Sequence, residues 1–356
     1  RHLNAEARLG ITNPVLRIDP IVDSMQHELQ VLQIYDDKEQ LISNAVRQAF
    51  YKEFILDHGA GQNLRAYTGR KPPTTAEHDR VSRVYREQLI RETLIQNDGD
   101  GIRSFVGCLL GTIANPHKIF LIDEPEAFLH PPQARQLGRL LADISHDQNR
   151  QIIMATHSSD IIKGVISSNA KVHICRIELN AQVNHAHNLN NDQIRQLWSK
   201  PLLKSSDAIQ GIFHKGVVVC EADADCRFYE NISFVQDENN FQKTPPDLHF
   251  VHGGGKGELA TLAQSYKKLH VKTAVIADFD MLRNGNELEK LVDVLGGDYQ
   301  KEFKELYKEV VKPLNDKKPA KDISRVIADL QNIIQEIDKK RSFSKEIQQK
   351  IDQVNQ

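Results

Sequence analysis

The segment IFLIDEPEAFLHP, Ile119 to Pro131, constrains the fold more than any other stretch of this chain. Four apolar residues run straight into two adjacent carboxylates, Asp123 and Glu124. A short apolar run with polar flanks is the pattern of a strand in a parallel sheet. Ligands of such sheets bind beyond the carboxyl ends of the strands, which is where these two acids fall. There the first carboxylate can hold Mg²⁺ and the second can polarise a water attacking a phosphate. The neighbouring segments alternate accordingly: a strand (Lys118 to Ile122), a helix (about Pro132 to Ser145) and two further strands, RQIIMATHS and KVHICRIEL. His157, at the end of the first of these two, is placed to sense a γ-phosphate. Upstream, NDGDGIRSFVG sets Gly99, Asp100 and Gly101 before a helix whose apolar face is Ile102, Phe105, Val106, Leu109 and Leu110. The amino end of a helix favours anions.

A second alternation begins at Gly216. GVVVCE reads as a buried strand, DADCRFYENI as a helix, LHFVHGGG as a strand, KGELATLAQSYKKL as a helix and VKTAVIADFD as a strand. Right-handed crossovers bring the carboxyl ends of parallel strands to one edge. Glu221, Asp225, Asp278 and Asp280 would gather there, Asp278 and Asp280 alternating along an extended segment onto one side. Crowded carboxylates repel unless they bind a cation, and hard oxygen donors suit Mg²⁺ or Mn²⁺. Such ions activate water and stabilise the leaving oxygen of a phosphodiester. Asp223 reads instead as a helix N-cap.

The remainder bounds the answer. The first 100 residues are mixed, with a helical pattern from Asp37 to Leu56 broken by GAGQNLRAYTGRKPPTT, and the residues beyond about Asn286 form charged amphipathic helices. With 356 residues and a net charge of −2, two or three domains are expected, and nucleic acid is neither demanded nor excluded. The four cysteines (Cys108, Cys175, Cys220, Cys226) form no CxxC pair, which favours reduced thiols and a cytoplasmic setting. No apolar run is long enough for a membrane span. The first residue is Arg, the mark of a processed or cut chain.

Three of these motifs together resemble the ATP-binding-cassette-type ATPases of the recombination and OLD (overcoming lysogenisation defect) class. IFLIDEPEAFLHP is similar to their Walker B and D-loop, MATHSSD to their switch histidine, and DGDGIRSF to a divergent signature motif. The resemblance implies that Asp123 binds Mg²⁺, that Glu124 polarises water and that His157 contacts the nucleotide. It implies that Asp100, Gly101 and Ser104 act on the ATP of a second subunit across a head-to-head dimer. The phosphate loop G-x-x-x-x-G-K-[ST] that such a site needs does not occur. HGGGKGE fails the pattern at Phe250 and Gly257 and lies downstream. An N-terminal segment outside this sequence is the expected source.

VVVCEADAD and AVIADFD resemble the TOPRIM domain of topoisomerases, primases and OLD-family nucleases, with Glu221 as its glutamate and Asp278 and Asp280 as its Asp-x-Asp pair. Ala222 replaces a frequent Gly, and the family's late basic residue and final strand find no counterpart; Lys256 and Arg283 are candidates for the former. The expected architecture is α/β: the C-terminal part of an ABC/OLD-type ATPase domain over 1–205, a TOPRIM nuclease domain over 206–285, and a charged helical insertion or extension over 286–356. The resemblance implies an ATP-regulated, Mg²⁺- or Mn²⁺-dependent DNA endonuclease of anti-phage defence. It would work as a homodimer through its ATPase heads, or a larger oligomer, off the membrane, with defence-system proteins or a retron reverse transcriptase and its small DNA as candidate partners. The competing expectation is an ATPase sensor or scaffold that hands cleavage to a separate effector. Strand passage would need an attacking tyrosine, and Tyr229, Tyr266 and Tyr307 lie in ordinary contexts.

Overall fold

The structure is a computed structural model, describing residues 1–75, 77–180, 182–198, 207–238, 247–315, 327–328, 330–334 and 349. It divides into two compact units, Arg1–Asp278 and Phe279–Gln356. The boundary expected near 205 falls at residues outside the described ones.

The first unit is organised around the helix Asp100–Ile113, apolar nearly all round and buried at every residue from Ser104 to Ile113. A helix of that pattern belongs at the centre of a core. Phe105, Leu109 and Leu110 pack there with Phe120 and Ile122, with Leu137 and Leu141 of the helix Pro131–Asp147, and with Ile42 and Val46 of the helix Asp36–Phe50. Beside it lies a parallel sheet in the order His2–Leu3, Ile119–Asp123, Gln151–Ala155. The apolar run before Asp123 is only half buried: Phe120 and Ile122 face the core, while Ile119 and Leu121 are 53% and 45% exposed. The alternation arises because no described element covers the second face of the sheet.

Three local expectations are corrected. The helical pattern from Asp37 stops at Phe50, where Tyr51 turns left-handed (φ 56°), and Glu53–Leu56 is a strand. That strand pairs antiparallel with Ala66–Gly69, within the stretch that looked like a broken loop. KVHICRIEL does not extend the parallel sheet; Ile174–Asn180 pairs antiparallel with Val183–Leu189 as a hairpin. A helix, Ser159–Ser167, begins within MATHSSD and precedes the hairpin, started by the Ser158 side chain accepting from the Ile161 N–H.

The second alternation folds as its pattern predicts. Gly216–Cys220, buried at all five positions, is the middle strand of a parallel sheet between Leu248–His252 and Lys272–Ile276. The helices Asp223–Glu238 and Lys256–Lys268 provide the crossovers. The Phe279–Gln356 unit holds the helices Gly285–Leu295 and Lys304–Asn315, joined through a π-helical turn, Tyr299–Phe303. DISRVIADLQNIIQEIDKK and SKEIQQKIDQV lie largely outside the described residues. Among those described, no helix is long and apolar enough to cross a membrane.

Candidate functional site

The first candidate site lies at the carboxyl edge of the Ile119–Asp123 strand. Asp123 ends the strand and is exposed. Glu124 follows in the left-handed region (φ 44°), its N–H donating to the Ala155 carbonyl (2.9 Å) of the neighbouring strand. Such a backbone in a non-glycine residue costs on the order of 1 kcal/mol and persists only where the surroundings hold it. Glu126 supplies part of that hold. It is buried, and its Oε1 accepts from the Thr156 hydroxyl (2.8 Å) and the His157 N–H (3.0 Å). The His157 ring is 73% exposed; its Nδ1 stands 3.5 Å from Glu124 Oε1 and 3.3 Å from Glu126 Oε1. Asp123, Glu124 and His157 are therefore brought to one edge, two of them solvent-facing carboxylates.

The amino end of the Asp100–Ile113 helix joins this edge through backbone contact. A Cβ on Gly101 would lie 2.7 Å from the Phe128 carbonyl, so only glycine permits this approach. Asp100 is exposed and pairs with Arg103 (3.0 Å). Just before it, Asp98 accepts from Lys52 Nζ (2.8 Å), the Thr68 hydroxyl (2.6 Å) and the Gly99 N–H (2.9 Å). Burial by itself would raise the Asp98 pKa, but the bonds from Lys52 and Thr68 outweigh it and hold the carboxyl below its ordinary value. Ser104 requires a correction. It is fully buried and its hydroxyl accepts from Arg8 Nε (3.1 Å), so it presents nothing at the surface for another subunit.

The second candidate site is the carboxyl edge of the other parallel sheet. Its strand order places the first strand in the middle, so the chain leaves it in one direction and returns on the other side, a topological switch point. Glu221 follows that middle strand and Asp278 follows the adjacent strand by two residues. The Asp278 N–H faces Glu221 Oε2 at 3.5 Å. HGGGKGE is the turn beside them: the Gly253 N–H donates to the Cys220 carbonyl (3.0 Å) and the Gly255 N–H to the Glu221 carbonyl (3.1 Å). The capping contact expected of Asp223 is made by Asp225. Asp225 Oδ2 accepts from the Ala222 N–H (2.9 Å), half of a capping box, while Asp223 pairs one turn on with Arg227 (2.8 Å). Asp280 does not continue an extended segment; it lies in the 3₁₀ turn Phe279–Arg283, in the second unit.

Among the described residues, no ion pair neutralises Glu221, Asp225 or Asp278, and their oxygen donors fit a hard divalent cation. The one described group of three ligand atoms within 4.8 Å of one another lies elsewhere, at Asp36, Glu39 and His58. Arg80 fills that group, bonding both Asp36 and Glu39.

Comparison with known proteins bears on the first site. The family model described as "AAA domain, putative AbiEii toxin, Type IV TA system" matches residues 31–163, which include Asp98, the Asp100–Ile113 helix, Asp123, Glu124 and His157. The Old nuclease of Escherichia phage P2 is 26% identical over 172 residues, 47% of this chain and 28% of that protein. The resemblance to OLD-family ATPases holds. The fold of this part of the chain is an α/β ATPase fold. Protein ea59 of Escherichia phage lambda is 28% identical over 98 residues, 28% of this chain and 19% of its own length. The chain thus spans less than a third of these two relatives. The SMC head domain from Thermotoga maritima aligns at 14% identity with a TM-score of 0.29 over 46% of this chain and 52% of that one, a likeness too distant to argue from.

Sequence reasoning passed over Arg8, Asp98 and Glu126. Glu126 had a visible signal, a third carboxylate two residues after Glu124. Arg8 had none, because three of its four partners are 96 to 116 residues away in the chain.

Proposed function

We propose that this chain is the core of an ATP-regulated, metal-dependent DNA endonuclease of the OLD type, serving anti-phage defence. The observation that carries the reading is the pair of carboxylate edges on one chain: Asp123 and Glu124 on one parallel sheet, Glu221 and Asp278 on another. At the first edge Asp123 would hold the nucleotide's Mg²⁺, Glu124 would orient the attacking water and His157 would contact the γ-phosphate. Asp100 and Gly101, at the exposed helix end, would meet the nucleotide of a second copy, making a homodimer through the ATPase heads. At the second edge Glu221, Asp225 and Asp278 would hold Mg²⁺ or Mn²⁺. The ion supplies an activated water and charge stabilisation for phosphodiester hydrolysis. The residues' own part is to present unneutralised oxygens at a switch point open to a DNA backbone. DNA affinity would fall with salt, as counterion release requires. Defence-system proteins, or a retron reverse transcriptase with its DNA, are candidate regulators.

The deciding experiment is plasmid cleavage by the full-length protein with Mg²⁺ or Mn²⁺, with and without ATP, for wild type and Glu221→Ala. Cleavage by the wild type alone places the chemistry at the second sheet. Equal inertness of both proteins, with ATP turnover intact, rejects the nuclease and favours the ATPase scaffold. That second reading has one observation behind it: the second-sheet carboxylates are not gathered as three ligand atoms within 4.8 Å.

A further inference from the structure

The signature-like helix and the Asp123–Glu124 turn share one buried cation. Arg8 follows the first strand on a short helix, Ala5–Gly10, and is completely buried. Its Nε donates to Ser104 Oγ (3.1 Å). One terminal nitrogen, Nη1, donates to the carbonyls of Leu3 (3.0 Å) and Asp123 (2.7 Å), and Nη2 donates to the carbonyl of Glu124 (2.9 Å). No carboxylate forms an ion pair with it among the described residues. A buried guanidinium is costly unless its donors are met, and here they are spent on backbone and one hydroxyl. Burial pulls its pKa below the ordinary arginine value, opposed by Cys108 and the nearby carboxylates of Glu126, Asp123 and Glu124. The helix approach is built for it: a Cβ on Gly107 would stand 1.9 Å from the Arg8 carbonyl.

The consequence falls on Glu124. Its left-handed backbone is held on one side by its N–H to Ala155, and on the other by its carbonyl. That carbonyl accepts from the Ala127 N–H (2.9 Å) as well as from Arg8. The Ala127 bond closes a local turn that could move as a body, and Pro125 offers no N–H to tie it down. Arg8 fixes that turn to the Ser104 helix. The geometry points to Arg8 as a positioning residue: its guanidinium locks the Glu124 carboxylate in its water-orienting place and ties it to the helix that carries Asp100 and Gly101.

This inference rests on Glu124 as the water-orienting group, and the test separates the two claims. ATP turnover by the full-length protein is measured for wild type, Ser104→Ala, Arg8→Lys, Glu124→Gln and the Arg8→Lys/Glu124→Gln double variant. Thermal melts confirm that each is folded. Lysine offers an ammonium that cannot span Ser104, Asp123 and Glu124 together. Arg8→Lys should lower kcat about 100-fold with KM for ATP within about twofold, and Ser104→Ala should lower kcat about fivefold. In the Glu124→Gln background Arg8→Lys should change the residual rate less than twofold, since both act through one group. A multiplicative loss in the double variant, or a KM rise matching the kcat loss, overturns the role. Hydrogen exchange over residues 122–127 reads the same lock without nucleotide: Arg8→Lys should speed the Glu124 amide at least tenfold while Gln151–Ala155 exchanges as before. If that amide is unchanged the positioning role is wrong, whether or not ATP is hydrolysed. If the wild type turns over no ATP while the exchange result holds, the hydrolysis reading fails and the lock stands.

Discussion

At the first sheet edge, Glu126 gathers the Thr156 hydroxyl and the His157 N–H, and Arg8 gathers the carbonyls of Asp123 and Glu124. At the second, Asp225 takes a single backbone N–H and Glu221 faces the Asp278 amide across 3.5 Å. The contrast extends to the interior. Among the described residues, the buried charged side chains Arg8, Glu28, Glu39, Asp57 and Glu126 all precede residue 127, whereas Ser265 is the buried polar side chain in the second sheet's layer. Side chains bonded to several fixed groups hold a single arrangement, whereas carboxylates with few partners can be arranged by a cation. The first edge is braced by the protein's own groups; on the proposed reading, the second would be completed by a cation.

The sharpest way to break this contrast is Asp278→Asn. If a metal completes the second edge, removing one charged ligand should lower cleavage on the order of 10³-fold, several kcal/mol of transition-state stabilisation. Plasmid nicking rates would read it; a change under tenfold removes Asp278 from the ligand set. Next in size, Glu124→Gln should lower ATP turnover about 10²-fold while nucleotide binding, followed by a fluorescent analogue, persists.

Stability variants sharpen the same comparison. Gly107→Ala drives a methyl into the Arg8 carbonyl and should cost about 2 kcal/mol in denaturant unfolding. Asp223→Ala, at the second edge, removes only an exposed helical pair with Arg227 and should stay within about 0.5 kcal/mol. Equal losses would mean that the two edges are equally braced.

The smallest effect concerns acid. Burial alone would raise the Glu39 pKa, but bonds from His58 and Arg80 overcome it and the folded value is depressed. Its stabilisation is therefore complete above the unfolded carboxyl pKa, about 4.3, and is lost as pH falls through the lower folded value. Below about pH 4.3 the slope of unfolding free energy against pH should be steeper in wild type than in Glu39→Gln. Identical slopes would show that Glu39 is not an acid-labile brace of the first region.

Much of the second sheet was legible from the chain. GVVVCE, LHFVHGGG and VKTAVIADFD are apolar runs of strand length with glycine or acid at their ends, and that local signal survives into the fold. KVHICRIEL was read as a strand correctly and paired wrongly, because periodicity gives a strand but not its neighbour. The cap expected of Asp223 falls to Asp225 because either carboxylate can reach the same helix start, and two residues of spacing do not choose between them. The Asp37 to Leu56 pattern ran on too far because helix and short buried strand look alike in an apolar stretch.

The sequence by itself determined the order of elements in the second sheet and the positions of Asp123, Glu124, His157, Glu221 and Asp278 at strand ends, because strand-to-loop signals are local. Only the tertiary structure decided that Ser104 turns inward to Arg8, that Glu126 carries the His157 loop, and that Glu124 is held left-handed. Each of those depends on groups 31 to 116 residues apart in the chain meeting in buried or part-buried space. A buried donor must find whichever acceptor the packing brings, and no spacing along the chain records which one that is.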